Sequence, residues 1–134
     1  MACEFCERDG GRLIWRGDEC RVVLVDEPGY AGYCRVIWNA HVREMTDLAE
    51  PERLRYLRLV FDVEHALREL LAPDKINLAS LGNVTPHLHW HIVPRFRDDP
   101  HFPNPIWGAT VRPPSAPVRS SDEIVAGLAR KLSR

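Results

Sequence analysis

The chain has 134 residues, 45% of them apolar and 28% charged, which suits one compact domain with a real core and leaves little room for a second. Its 18 basic and 19 acidic side chains leave a formal charge of −1, so no basic excess marks a nucleic-acid binder, and any phosphate chemistry must come from a local site. No apolar run approaches the ~20 residues needed to span a bilayer. The opening MACEFCERDGG lacks the basic start and apolar stretch of a secretion signal, so the expected location is the cytoplasm.

In a reducing compartment the four cysteines do not read as a disulfide framework. Cys3-Glu4-Phe5-Cys6 has the C-x-x-C spacing that brings two thiolates to one metal, and no thioredoxin-like pattern surrounds it to favour redox chemistry. GRLIWRG and CRVVLVDE, short apolar runs bounded by Gly, Asp and Pro, are expected to be strands. After the turn PGYAG, YCRVIWNAH is a third strand; Cys20 and Cys34 fall inside such runs and are expected to be small buried side chains.

The segment from Met45 to Leu71 changes period. Leu54, Leu57, Phe61, Ala66, Leu67, Leu70 and Leu71 recur at helical spacing, Pro51 suits a first turn, and Pro73 follows the end. KINLASLG and HLHWHIVPRF are two further strands joined by a loop around Gly82 and Asn83. Eight of the eleven prolines fall from Pro86 onward, which makes residues 98–118 an irregular wrapping segment. The end, SSDEIVAGLARKL, carries Ser120 and Glu123 at capping-box spacing and reads as a helix. Strands, one long helix, then strands again indicate an α+β sheet with a helix packed on it.

Three of the six histidines stand in TPHLHWHIVPRF, at every second position: His87, His89 and His91. On a strand they share one face, with Leu88, Trp90 and Ile92 filling the core side, and neighbouring imidazoles lie about 6–7 Å apart at Cα. That is close enough to share one substrate group or one metal. Such a face can be a histidine-rich surface, a metal site, or a nucleophile with its helpers, because a neutral imidazole attacks phosphorus directly. His65 and His101 have no such context and read as packing or surface residues.

H-L-H-W-H-I-V fits the pattern H-φ-H-φ-H-φ-φ, φ being apolar, and so resembles the signature of the histidine triad (HIT) superfamily. YCRVIWNAHVREMTDL and INLASLGNVTPHLHWHIVPRF resemble the segments that precede the long helix and carry the triad there, and the likeness covers roughly residues 3–96. The resemblance implies a HIT-like α+β fold over 1–134: an antiparallel sheet with one long helix, a core at about 3–96, and a proline-rich tail with a short C-terminal helix at 97–134. It implies a nucleotide hydrolase working at the α-phosphate of nucleoside phosphoramidates or dinucleoside polyphosphates. His89 would form a nucleotidyl-histidine, His91 would lie by the leaving group, and His87 would orient the cluster. Alternatives are a transferase or phosphorylase with an acceptor other than water, or a non-catalytic nucleotide-binding protein. Asn77, Gly82 and Asn83 match the family's phosphate-proximal residues, and Asp26 falls near its ribose-binding acid. A branch of the family binds structural zinc, here through Cys3, Cys6, His41 and His87. The resemblance also implies a homodimer. Two positions depart from the family: Tyr33 replaces its usual fourth histidine, and Val84 replaces a Ser or Thr, whose hydroxyl Thr85 would supply only with a one-residue shift. Trp107 is expected to pack or to shape a nucleobase or partner surface.

Overall fold

A computed structural model describes residues 2–133. The expected strands form as Arg12–Arg16 (β1), Cys20–Leu24 (β2), Cys34–Trp38 (β3), Lys75–Ala79 (β4) and His89–Arg95 (β5), joined into one antiparallel sheet of order β1-β2-β3-β5-β4. A four-residue helix, Glu4–Glu7 (α1), precedes them; the long helix is Glu50–Leu71 (α2) and the last is Ser121–Leu132 (α3). Residues 98–118 hold no helix or strand, as their prolines require. Among the described residues no helix is long and apolar enough to cross a membrane.

The long helix starts one residue before Pro51, where the Ala49 N–H donates to the Glu52 carboxylate at 2.8 Å, and it ends at Ala72, left-handed at φ 47°, just before Pro73. Its buried face differs from the one the spacing suggests. Leu54 and Phe61 are exposed at 60% and 54%, whereas Tyr56, Val60 and Val63 are buried with Ala66, Leu67 and Leu71. The leucine pattern misleads because Tyr56 turns inward: its hydroxyl donates to the Val36 carbonyl of β3 at 2.9 Å, which fixes the helix's rotation on the sheet. Against this face lie Val22, Leu24, Cys34, Val36, Trp38, Leu88 and Ile92, with Ile124 and Leu128 of the capped α3 closing one side. Cys20 and Cys34 are buried as expected.

The other sheet face carries Val23, Ile37, Val93 and the triad histidines, and no helix of length covers it. Residues 3–10 and 98–112 lie over it instead. Gly10 makes the first crossing possible: it sits at φ 86°, and a Cβ there would meet Ile37 Cδ1 at 2.7 Å and the Phe5 ring at 2.9 Å. Arg95 makes the second possible. Its side chain is 3% exposed and forks onto Asp99, Nε to Oδ2 at 2.8 Å and Nη2 to Oδ1 at 3.0 Å, while donating also to Asn77 Oδ1 and the Asn104 carbonyl.

Asp99 further accepts from the Tyr30 hydroxyl and from the amides of Phe96, His101 and Phe102. Burial pushes its carboxyl upward, but Arg95 and those amides outweigh it and hold it at about 2, below the ordinary 3.8. A depressed carboxylate contributes stability above its unfolded value and loses it as pH falls through the folded one. Asp99→Asn leaves a buried guanidinium uncompensated, so at neutral pH it is expected to cost about 3–5 kcal/mol in urea unfolding. The gap between wild type and variant should narrow as pH falls from about 4 towards 2; a gap that stays constant over that range would show that the charge on Asp99 is not what matters.

Candidate functional site

Strand β5 begins at His89, so His87 lies just before it, in a bend after Pro86, rather than inside the strand. The three imidazoles nonetheless form one row. The rings of His89 and His91 meet edge to face at 4.8 Å, and Phe5 of α1 lies against His89 at 4.9 Å and His87 at 5.9 Å. All three histidines are buried, at 1%, 6% and 6% exposure. The opposite alternation holds too: Leu88 and Ile92 enter the core, with Trp90 partly buried against it.

Each ring has a fixed orientation. His89 Nδ1 lies 2.6 Å from the carbonyl of His87; a carbonyl only accepts, so Nδ1 carries the proton and the Nε2 lone pair is free in the neutral ring. His87 Nε2 donates to the Trp38 carbonyl at 2.6 Å, which leaves its Nδ1 lone pair facing Cys3 Sγ at 3.3 Å and Cys6 Sγ at 3.5 Å. His41 Nδ1 approaches Cys6 Sγ at 3.4 Å. The four ligand atoms of Cys3, Cys6, His41 and His87 all lie within 4.8 Å of one another. A tetrahedral zinc with bonds of ~2.3 Å to sulfur and ~2.0–2.1 Å to nitrogen separates its ligands by roughly 3.4–3.8 Å, so this donor set fits the ion in chemistry and in spacing. The set is closed by the protein itself, with His87 buried inside and Cys6 and His41 at the surface.

His91 Nδ1 lies 2.7 Å from the hydroxyl of Tyr33, the residue standing where the family's fourth histidine was expected. Burial raises the Tyr33 phenol above its ordinary value against the opposing charge and bond of Arg35, so it stays protonated and is able to donate to His91; with the phenol as donor, His91 carries its own proton on Nε2. Trp107, half exposed within the covering segment, packs edge to face on His91 at 4.9 Å. Burial lowers the pKa of His89, an effect that its bond to the His87 carbonyl opposes and the charge of Arg35 reinforces. His91 falls to about 3, from burial first, then from His89 and Arg35.

The remaining expected residues are less close-knit. Asn77 is on the histidine face, but its side-chain oxygen accepts from Arg95 Nη1 at 2.8 Å. Gly82, at φ 77°, turns the loop before the triad, with Asn83 and the 95%-exposed Val84 at its surface; Thr85 uses its carbonyl, accepting from the His87 amide. Asp26 lines a cavity of about 220 Å³ with Tyr30, Asp99 and Ser115, and no triad histidine borders it. His101 is a packing residue, stacked on Tyr30 and hydrogen-bonded to its hydroxyl. Two residues beside the row were not singled out from the sequence: Phe5, hidden inside the C-x-x-C, and Arg35, a charge in the otherwise apolar run CRVIW.

The model of the HIT domain family matches residues 10–98. An AP-4-A phosphorylase from Mycobacterium tuberculosis is 27% identical over 109 residues, 77% of this chain and 56% of that protein, so the chain spans just over half its length. A histidine triad protein from Bradyrhizobium japonicum superposes with a TM-score of 0.77 at 26% identity, over 92% of each chain. A Zn-bound histidine triad family protein from Mycobacterium smegmatis has the same fold, with a TM-score of 0.69 at 22% identity, over 99% of this chain and 94% of that one.

The burial of His91 has a pH signature. The unfolded chain takes up this proton near 6.5 and the folded chain only near 3, so stability is full above 6.5 and falls as pH drops between those values. Imidazole NMR should find His91 neutral at pH 5, with Nε2 protonated. His91→Phe should lose less stability than wild type between pH 7 and pH 4.5; a charged His91 at pH 5 would contradict the burial argument.

Proposed function

The chain belongs to the HIT domain family, and from that premise we propose that it is a nucleotide hydrolase acting at the α-phosphate of nucleoside phosphoramidates or dinucleoside polyphosphates through His89. The observation that carries this reading is the 2.6 Å bond from His89 Nδ1 to the His87 carbonyl, which leaves a neutral Nε2 lone pair beside a second imidazole. That lone pair attacks the α-phosphorus as the bond to the leaving group breaks, giving a nucleotidyl-histidine; water then cleaves the new P–N bond and regenerates His89. His91, its Nδ1 occupied by Tyr33, presents Nε2–H to the oxygens that gain charge. Tyr33 thereby does the orienting work of the missing histidine, and the departure from the family pattern leaves the nucleophile intact. Asn77, Gly82 and Asn83 are proposed to approach the phosphates, and Asp26 the ribose.

A second reading is favoured by the AP-4-A phosphorylase relative: inorganic phosphate in place of water would take the nucleotidyl group and release a nucleoside diphosphate. The first half-reaction is the same. Product analysis with and without added phosphate separates the two readings.

Zinc is the proposed ion of the Cys3–Cys6–His41–His87 cluster, consistent with the Zn-bound relative. Its contribution when bound is structural, tying residues 3–6 to the bend that presents His89. The same family premise supports a homodimer working in the cytoplasm.

On a panel of adenosine and guanosine phosphoramidates and diadenosine tetraphosphate, His89→Ala should lower turnover by at least about 1000-fold. Acid-quenched wild type should carry a nucleotidyl mass adduct that the variant lacks. Normal turnover by the variant would remove His89 from the chemistry. Metal analysis should find about one zinc per chain, and His41→Ala should lower both that content and the Tm; an unchanged zinc content would break the ligand assignment.

A further inference from the structure

The four cysteines divide by how easily an oxidant reaches them. Cys20 and Cys34 are buried at 5% and 0% exposure, and burial raises both thiols, Cys20 to about 12, so neither forms a thiolate near neutral pH. Cys6 is exposed and Cys3 half-buried. Cys3 is the residue before α1, Cys6 lies in its first turn, and the Cys6 amide donates to the Cys3 carbonyl at 3.1 Å. Their Sγ atoms converge on His87 Nδ1, at 3.3 Å and 3.5 Å, and all four ligand atoms of the cluster lie within 4.8 Å of one another. A disulfide needs ~2.05 Å between sulfurs, which is within reach of side-chain rotation from there.

The same pair ties together two pieces of very different firmness. One is the cover, residues 3–10: Arg21 holds it by the carbonyls of Phe5, Arg8 and Asp9, Arg35 by that of Gly10, and Phe5 packs on Val23 and Ile37. The other is the bend at His87, whose backbone bonds are the His87 amide to Thr85, the Leu88 amide to Val42 and the Leu88 carbonyl to Trp38. Severed from the thiols, the His87 ring keeps its Nε2 bond to the Trp38 carbonyl. Cutting the tie therefore leaves the cover in place and slackens the bend. The carbonyl of His87, which fixes His89 Nδ1 at 2.6 Å, belongs to that bend.

Resting on the zinc assignment above and not on the hydrolase reading, we propose that Cys3 and Cys6 are a site of reversible oxidation that sets how firmly His89 is presented. The oxidant is a hydroperoxide, with hydrogen peroxide the simplest. The Cys6 sulfur attacks one peroxide oxygen, the O–O bond breaks, and hydroxide leaves a sulfenic acid behind. The Cys3 sulfur then displaces the second hydroxide and forms the S–S bond. Two protons from solvent turn the hydroxides into water; the two sulfurs together lose two electrons and the peroxide gains them. Thiolate, not disulfide, is the metal ligand, so two of the four ligands are withdrawn and the ion is released.

The test starts from zinc-loaded protein and hydrogen peroxide. About one zinc should reach a chromogenic chelator per disulfide formed, and peptide mapping should place that disulfide between Cys3 and Cys6 with Cys20 and Cys34 still reduced. Dithiothreitol with added zinc should restore the starting state. On oxidation, hydrogen exchange at the Leu88 amide should quicken by about tenfold or more while the amides of β3 keep their protection. The His89 Nδ1–H signal should be present in the loaded protein and lost from the oxidised one. Reduced protein stripped of zinc by a chelator should match the oxidised protein in both respects, because the metal carries the tie. Zinc retained after oxidation, a disulfide elsewhere, a stripped protein unlike the oxidised one, an unmoved His89 signal, or global unfolding by circular dichroism would each overturn the proposal. Protein that never holds zinc would sink the metal assignment and the proposal together; zinc that is bound but not released by peroxide would sink the proposal alone. No readout requires turnover, so a protein inert towards every nucleotide would sink the hydrolase reading and leave this site standing.

Discussion

The site depends on the way His87 is held. Its Nε2 is bound to the Trp38 carbonyl, its Nδ1 faces two thiols, and its own carbonyl fixes the tautomer of His89. It does this from a bend rather than from the ladder, because β5 begins two residues later. The bend's own backbone support is slight: the His87 amide bonds to Thr85, and Leu88 bridges to Val42 and Trp38. Side-chain anchors must supply the rest. A metal held by Cys3, Cys6, His41 and His87 would therefore act on the position of His89 without touching its Nε2.

The two faces of the sheet solve the burial problem differently. The helix side is apolar throughout and is closed by α2 and α3. The histidine side is closed by short irregular segments, each with too little apolar surface to hold itself down. Arg21 fastens the first by the carbonyls of residues 5, 8 and 9, and Arg95 fastens the second through Asp99 and Asn104. Small apolar clusters, Phe5 with Val23 and Ile37, and Tyr30 with Tyr33 and Val93, flank the histidines between these two clamps. Polar groups can sit in the middle of the face because the covers are tied down at the margins.

This division also sets what could be read from the sequence. Short apolar runs bounded by turn residues marked the five strands, and period-two alternation put the triad histidines on one side, which holds for His89 and His91 in β5 while His87 joins the row from the bend before it. Pro51, Pro73 and the Ser120–Glu123 pair marked helix ends, because capping and proline chemistry are local. The C-x-x-C and the histidine ending YCRVIWNAH pointed to the cluster by family resemblance, which carries long-range information that spacing lacks. The rotation of α2 was not legible: it is set by one hydroxyl reaching across to Val36, while Leu54 and Phe61 imitate a core face. Nor was Arg95–Asp99, whose partners come from the end of a strand and an irregular segment with no periodic signal.

What burial does for the histidines follows from magnitudes. A free imidazole near 6.5 is already about three-quarters neutral at pH 7, so lowering the pKa of His89 enlarges its neutral population by less than half. Deprotonation is therefore not the main gain. Excluding water with Phe5 and Trp107 strengthens the bonds that fix each ring, His89 on the His87 carbonyl and His91 on Tyr33, and leaves the His89 Nε2 with little hydration. The same exclusion makes the row sensitive to acid, because protons that the unfolded chain accepts near 6.5 are refused by the folded one. Orientation of the imidazoles and acid lability of the fold are thus two consequences of one desolvated face, and a change that relieved the second by opening that face to water would loosen the first.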